Sequence, residues 1–131
     1  MADTLSDAAA KGDLQAVRAL LDSGVPADSR SADGRTPLIC AAMASHLGVV
    51  SALLEAGADV GARSVDGSTA LTTAALWNQP DVVRRLLAHG ADPDAADGSG
   101  WTPSDIARTR GYTAIAELLG HRQPDIKKEN V

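Results

Sequence analysis

A pattern of residues returns every 33 positions along this sequence, without a single insertion. Its clearest mark is Gly-x-Thr, which occurs at 34–36, 67–69 and 100–102. The same step separates pairs of alanines, pairs of leucines and single glycines. The alanine pairs are Ala8-Ala9, Ala41-Ala42 and Ala74-Ala75, and the leucine pairs are Leu20-Leu21, Leu53-Leu54 and Leu86-Leu87. The glycines are Gly24, Gly57 and Gly90. A fixed period of roughly 20 to 50 residues is typical of proteins that stack copies of one supersecondary unit. The sequence therefore predicts a repeat architecture.

Each unit contains two short helices and a turn. In the second unit, Thr36 is placed to cap a helix over 36–44, and Pro37 stands at its first position, where a missing N–H is tolerated. A second helix over 47–57 has apolar residues at helical spacing and stops at a glycine. The stretch 58–67 is rich in Asp and Gly, which indicates an extended turn. One helix pair cannot bury both of its faces, so stability must come from stacking.

The composition agrees with closely packed helices. Hydrophobic residues make up 44% of the chain but aromatic residues only 2%, and there are 25 alanines and no phenylalanine. A core of Ala, Leu and Val allows helices to approach copies of themselves closely.

The segment GRTPLICAAMASHLGVVSALLEAGADVGARSVD at 34–66 resembles an ankyrin repeat, and the resemblance recurs at 67–99. It implies an all-α ankyrin-repeat solenoid of stacked antiparallel helix pairs joined by extended turns. We expect a single ankyrin-repeat domain over 1–131, with repeats at about 1–33, 34–66, 67–99 and 100–122 and a polar C-terminal tail at 123–131. The first and last repeats should act as caps.

The repeats depart from the family pattern at positions that link neighbours. The His of Thr-Pro-Leu-His is replaced by Ile39, Thr72 and Asp105, so the network between turns must be looser or replaced. Thr73 occupies a core position, which predicts a weaker third repeat. The family's Gly-His pair between the two helices becomes Ser45-His46, Asn78-Gln79 and Gly111-Tyr112, and Pro80 fits the first turn of a second helix.

No arrangement of catalytic or metal-binding residues accompanies the repeat. Cys40 and His46 are separated by a helix and its turn, so they should point to different faces, and Cys40 is expected to be a buried structural residue. His46, His89 and His121 do not have the close spacing of metal ligands. The aspartates of the turns are expected to bend the backbone rather than to transfer protons. We expect no enzymatic activity, no metal and no cofactor.

The charge of the chain disfavours nucleic acid as a partner. The formal net charge is −5, and the only adjacent basic pairs are Arg84-Arg85 and Lys127-Lys128. A single cysteine excludes an internal disulfide, and the polar N-terminus lacks the features of a signal peptide. We expect a cytoplasmic protein that is monomeric on its own and contacts neither nucleic acid nor membrane.

The resemblance implies recognition of another protein through a concave face made by the turns and the first helices. Carried over position by position, it predicts a partner-binding set of Arg35, Met43, Ser68, Leu76, Trp77, Trp101 and Arg110. Both tryptophans of the chain fall in this set, and Trp101 should lie close to Trp77 and Leu76. Exposed Trp and Arg side chains often dominate binding energy, although the tryptophans could instead fill space between repeats.

Two functions remain open at this point. The first is a non-catalytic adaptor or inhibitor that binds a partner protein. The second is an accessory subunit that binds a small molecule or completes the active site of an enzyme.

Overall fold

The computed structural model describes residues 4–120, and these contain eight α-helices and no β-strand. The helices are α1 (Leu5–Lys11), α2 (Leu14–Asp22), α3 (Pro37–Met43), α4 (Leu47–Glu55), α5 (Ala70–Leu76), α6 (Pro80–Ala88), α7 (Pro103–Arg110) and α8 (Thr113–Gly120). They form four pairs, in agreement with the predicted two helices per unit. The predicted tail at 123–131 and His121 lie outside the described residues.

The pairs stack into two layers of helices. The first helix of each pair packs against the first helix of the next, in the order α1, α3, α5, α7. The second helices form the other layer, in the order α2, α4, α6, α8. Each pair thus contacts its neighbours in sequence, as expected of a solenoid.

Small side chains occupy the centre of the stack. The alanine pairs at 8–9, 41–42 and 74–75 are fully buried, and so is Ala107 in the fourth pair. Larger aliphatic residues fill the space between the two layers, among them Val17, Val50 and Val83. The absence of side-chain bulk at the alanines lets the first helices approach one another closely.

The first helices begin at threonine caps, as predicted for α3. The Thr36 hydroxyl accepts a hydrogen bond from the Ile39 N–H at 3.2 Å, and Pro37 is the first helical residue. In α5 and α7 the capping is reciprocal, because the cap threonine also donates its own backbone N–H to a side chain three residues later. Thr69 donates to the Thr72 side chain, and Thr102 donates to the Asp105 side chain. The residues that replace the family's histidine at these two positions therefore stabilise their own helix starts. The predicted position of Pro80, at the start of α6, is also confirmed.

The link between the two helices of each pair has a left-handed residue. Gly12 and Gly111 have φ of +75° and +76°, and Ser45 and Asn78 occupy the same position with φ of +61° and +56°. The next side chain reaches back to the preceding pair: His46 Nε2 lies 3.1 Å from the Ala10 carbonyl oxygen. In the third pair, Gln79 Nε2 donates to the Met43 carbonyl oxygen at the same distance, 3.1 Å. Gln79 thus supplies the contact that the sequence pattern assigns to histidine.

Ser45→Gly should raise the free energy of unfolding by about 0.5–1 kcal/mol, because the penalty for a left-handed side-chain residue exceeds the extra entropy cost of glycine. Asn78→Gly should stabilise less, since asparagine tolerates this conformation better. Urea titrations followed by circular dichroism would measure both effects. Ser23→Gly is the matched control, because Ser23 has φ of −80°. The explanation is wrong if Ser45→Gly destabilises the protein as much as Ser23→Gly.

The turns between pairs are closed hairpins that stack on one another. The N–H groups of Ser31, Ser64 and Asp97 donate to the carbonyl oxygens of Arg35, Ser68 and Trp101 at 2.8 to 2.9 Å. Arg63 Nη1 bridges two turns by donating to the carbonyl oxygens of Gly67 at 2.8 Å and Ala96 at 2.6 Å. Two glycines also bring these turns into backbone contact, because a Cβ on Gly67 would lie 2.6 Å from the Cα of Gly98. The second and third turns are therefore held in a fixed relation.

Candidate functional site

Two adjoining depressions lie where the second and third turns, at 64–68 and 97–101, meet the ends of α5 and α7. The larger encloses about 640 Å³, including the space open to solvent, and is lined by Ser68, Thr72, Thr73, Leu76, Asp97, Trp101, Ile106, Thr109 and Arg110. The smaller and more open one is lined by Leu76, Trp77, Arg110 and Tyr112. Leu76 and Arg110 line both, so the two depressions are continuous, and together they are called the groove below.

The backbone of the turns positions the groove's residues. Trp101 is fixed at both backbone groups, since its carbonyl oxygen accepts from the Asp97 N–H at 2.8 Å and its N–H donates to Asp97 Oδ1 at 3.0 Å. Ser68 is held similarly, and its N–H donates to Asp66 Oδ1 at 3.1 Å. A hydrogen bond from the Ser64 hydroxyl, with further bonds from Ser68, holds the pKa of Asp66 below its usual value. Hydrogen bonds within the turns therefore position the turn residues that line the groove.

The groove exposes apolar side chains to solvent. Among residues 4–120, four large hydrophobic side chains are exposed, and three of them line the groove: Leu76 at 38%, Trp77 at 53% and Trp101 at 44%. The fourth is Val65, in the second turn. Contiguous exposed apolar groups are typical of interaction sites, whereas scattered ones are ordinary.

The comparison with protein families decides what kind of repeat this is. A family model described as ankyrin repeats (3 copies) matches residues 5–97 and 63–130. The chain belongs to the ankyrin-repeat family. Ankyrin repeats are generally protein–protein interaction modules and are typically non-catalytic. A search of curated proteins found no match to the chain.

The ankyrin-repeat fold brings five of the seven predicted site residues together. Ser68, Leu76, Trp101 and Arg110 line the larger depression, and Trp77 joins Leu76 and Arg110 in the smaller one.

The other two predicted residues line neither depression. Arg35 lies in the first turn, at 31–35, next to the turns that border the groove. Its Nε lies 3.7 Å from Asp33 Oδ2. Met43 is half-buried, and its carbonyl oxygen accepts the bond from Gln79. The groove of the structure is thus centred on the last two turns.

Several residues of the groove were not among the predicted ones. Thr73 and Ile106 occupy the position that holds Cys40 in the second repeat, which sequence reasoning assigned to the core. Tyr112 replaces the histidine of the Gly-His pair, and its ring borders the smaller depression. The 33-residue register contains the signal that would have found them, because Thr73 and Ile106 share a helix with predicted residues and Tyr112 lies just after α7.

Side chains of catalytic or metal-binding type are dispersed through the ankyrin-repeat structure. Within residues 4–120, no group of three or more His, Cys, Asp or Glu side chains is placed to hold a metal ion. The His46 ring contacts the Ala10 carbonyl oxygen, and His89 Nδ1 lies 3.0 Å from the Arg85 carbonyl oxygen. In the same range, no helix is both long and apolar enough to cross a bilayer.

Cys40 is buried, as predicted, and burial raises the pKa of its thiol, an effect that the nearby Arg35 charge offsets only in part. The folded protein therefore keeps this thiol protonated at pH values where the unfolded chain ionises it. Ionisation of Cys40 should leave the free energy of unfolding unchanged below a pH of about 8.5. As the pH rises through that value, the free energy of unfolding should fall, because the unfolded chain releases this proton more readily than the folded protein does.

Two measurements check this behaviour of Cys40. Modification of the native protein by a thiol-specific disulfide reagent should be slow and should accelerate with denaturant. The slope of the free energy of unfolding between pH 8 and 10 should flatten in a Cys40→Ala variant. Rapid labelling of the native protein would contradict the assignment.

Proposed function

We propose that the protein is a non-catalytic recognition module, an adaptor or inhibitor, that binds a partner protein through the groove. The exposed cluster of Leu76, Trp77 and Trp101 carries the proposal. Tryptophan contributes large contact area with few rotatable bonds, and it is enriched among residues that dominate binding energy. The proposed partner-binding set also retains Arg35 and Met43, which extend the same face toward the second repeat.

The hydrogen bonds that fix the turns favour a binding role for the groove. Both turns are closed by backbone bonds, and Arg63 links them. A surface that is ordered before binding loses less entropy when a partner docks. The proposed organisation is a single domain of four repeats with the boundaries given above, and it leaves the groove between the third and fourth repeats.

The second candidate, an accessory subunit that holds a small molecule or completes an enzyme's active site, also has an observation in its favour. Three threonines, Thr72, Thr73 and Thr109, line the larger depression beside its apolar residues. The space in it that a water-sized sphere can reach is about 250 Å³, below the roughly 300 to 1,000 Å³ that is usual for small-molecule sites. It matches one or two side chains of a partner better than a whole cofactor.

We further propose a cytoplasmic protein, monomeric until it meets its partner, that contacts neither nucleic acid nor membrane. The net charge of −5 supports the exclusion of nucleic acid, because a chain with net negative charge repels phosphates overall.

Affinity capture from the source cell's extract tests the proposed function. The wild-type chain should retain a protein that a Trp77→Ala/Trp101→Ala variant of equal helical content loses. Equal retention by both would place the interface outside the groove. A melting temperature raised by a small-molecule library but not by any captured protein would favour the accessory-subunit function instead.

A further inference from the structure

The groove combines apolar surface with a cation, Arg110, that has no counter-ion among residues 4–120. Arg108 pairs with Asp105 at 2.7 Å and Arg84 with Asp81 at 2.5 Å. Arg110 forms no ion pair or hydrogen bond with any residue of 4–120. Its guanidinium is exposed at the end of α7 and lines both depressions.

The carboxylate that shares the groove with this cation is already engaged. Asp97 is the one acidic residue among the described residues that line the groove. Its Oδ1 accepts from the N–H groups of Ser99 at 2.9 Å and Trp101 at 3.0 Å, which hold it against its own turn. Asp97 also belongs to the larger depression alone, whereas Arg110 borders the smaller one too. The smaller depression therefore has a positive charge among aromatic and aliphatic walls and no negative one.

The chemistry of a complementary occupant follows from this arrangement. Leu76, Trp101 and Ile106 offer an apolar wall in the larger depression, and Trp77 and Tyr112 offer aromatic surface in the smaller one. Guanidinium groups bind carboxylates through charge-assisted and often paired hydrogen bonds. In an extended peptide, side chains two residues apart point the same way and are separated by roughly 6.6 Å. One short segment can therefore place an apolar side chain in the larger depression and a carboxylate beside Arg110.

We propose that the groove recognises a segment of the partner protein in which an acidic residue lies within two positions of an aliphatic or aromatic residue. This inference rests on the protein-binding function proposed above, and it adds the chemistry of the partner. The apolar side chain contributes most of the affinity, and the carboxylate selects the register along the groove.

Selection from a random 12-residue peptide library displayed on phage tests the proposal. The immobilised wild-type chain should enrich peptides with Asp or Glu within two positions of an apolar residue. Arg110→Glu should lose these peptides and enrich Lys or Arg at the same position, because the charge preference of the site reverses. Arg18→Glu, which makes the same change of charge on the exposed surface of α2, is the matched control and should keep the acidic preference.

Titration of one selected peptide makes the test quantitative. Its affinity for Arg110→Glu should be roughly ten-fold lower than for the wild type, and the difference should shrink at high salt. The proposal is overturned if Arg110→Glu and wild type select the same peptides. If those peptides still require Trp101, the proposed binding function stands and only the partner chemistry fails. If the wild type enriches no peptides at all, the inference is also rejected.

Discussion

Truncating Trp101 to alanine should weaken binding of the partner by about 2 kcal/mol or more, which is roughly thirty-fold in affinity. The Trp101 side chain is 44% exposed, and its backbone is fixed by Asp97, so the change removes contact area without loosening the turn. Truncating Trp77 as well should weaken binding further. Because the two side chains border the same groove, the two losses need not be additive. Isothermal titration calorimetry with the captured partner would measure both.

Val65→Ala is the control for this experiment. Val65 is 80% exposed, more than either tryptophan, but it does not line the groove. It should leave the affinity within about three-fold of the wild-type value, as expected of an exposed residue outside the interface core. A loss as large for Val65 as for Trp101 would show that exposure alone, rather than membership of the groove, decides the contribution.

Gly98→Ala should destabilise the protein by about 1–3 kcal/mol and weaken partner binding at the same time. A Cβ on Gly98 would overlap the Asp66 carbonyl oxygen and lie 3.1 Å from its carbonyl carbon. Backbone atoms cannot rotate away as a flexible side chain can, so the second and third turns must separate. This separation would displace Ser68 from Trp101 and widen the larger depression. Chemical denaturation and peptide binding would report the two effects.

Gly61→Ala is the matched control for Gly98→Ala. Neither glycine has a positive φ, and the nearest atom to a Cβ on Gly61 is a carboxylate oxygen of Asp59 at 3.7 Å, an ordinary contact. The substitution should change the free energy of unfolding by less than about 0.5 kcal/mol. If Gly98→Ala were equally harmless, the turns would not be held by backbone contact.

The solenoid could be predicted from the sequence because its signals are local and repeated. Thr36 and Pro37 specify a helix start by backbone chemistry alone, and the structure confirms both roles. Gly57 has φ of +92°, in agreement with its predicted place after the second helix. A register without insertions then applies each local prediction to every copy.

The side-chain contacts that join neighbouring helix pairs could not be predicted in the same way. The sequence shows that Gln79 stands where the pattern has histidine, but not that its side-chain amide reaches the Met43 carbonyl oxygen. The left-handed conformation of Ser45 is also set by its neighbours, because serine itself disfavours it. These features depend on the distance between stacked pairs, which is a tertiary property.

The groove was predicted only in part for a related reason. The register identifies which positions share a face, so it brought Trp77 and Trp101 together as candidates. It does not give the depth of the surface, and depth decides that Ile106 and Thr73 line the larger depression. Depth also decides that Met43 stays half-buried outside it. The shape of a surface depends on side-chain packing between repeats, which the pattern of one repeat does not contain.

Hydrogen–deuterium exchange with and without the captured partner tests the central claim most directly. Binding through the groove should slow exchange in the turns at 64–68 and 97–101 and at the ends of α5 and α7. Exchange in α6 and α8, which form the opposite layer, should stay unchanged. Slowed exchange confined to α2, α4, α6 and α8 would contradict the account and would place the partner on the layer of second helices.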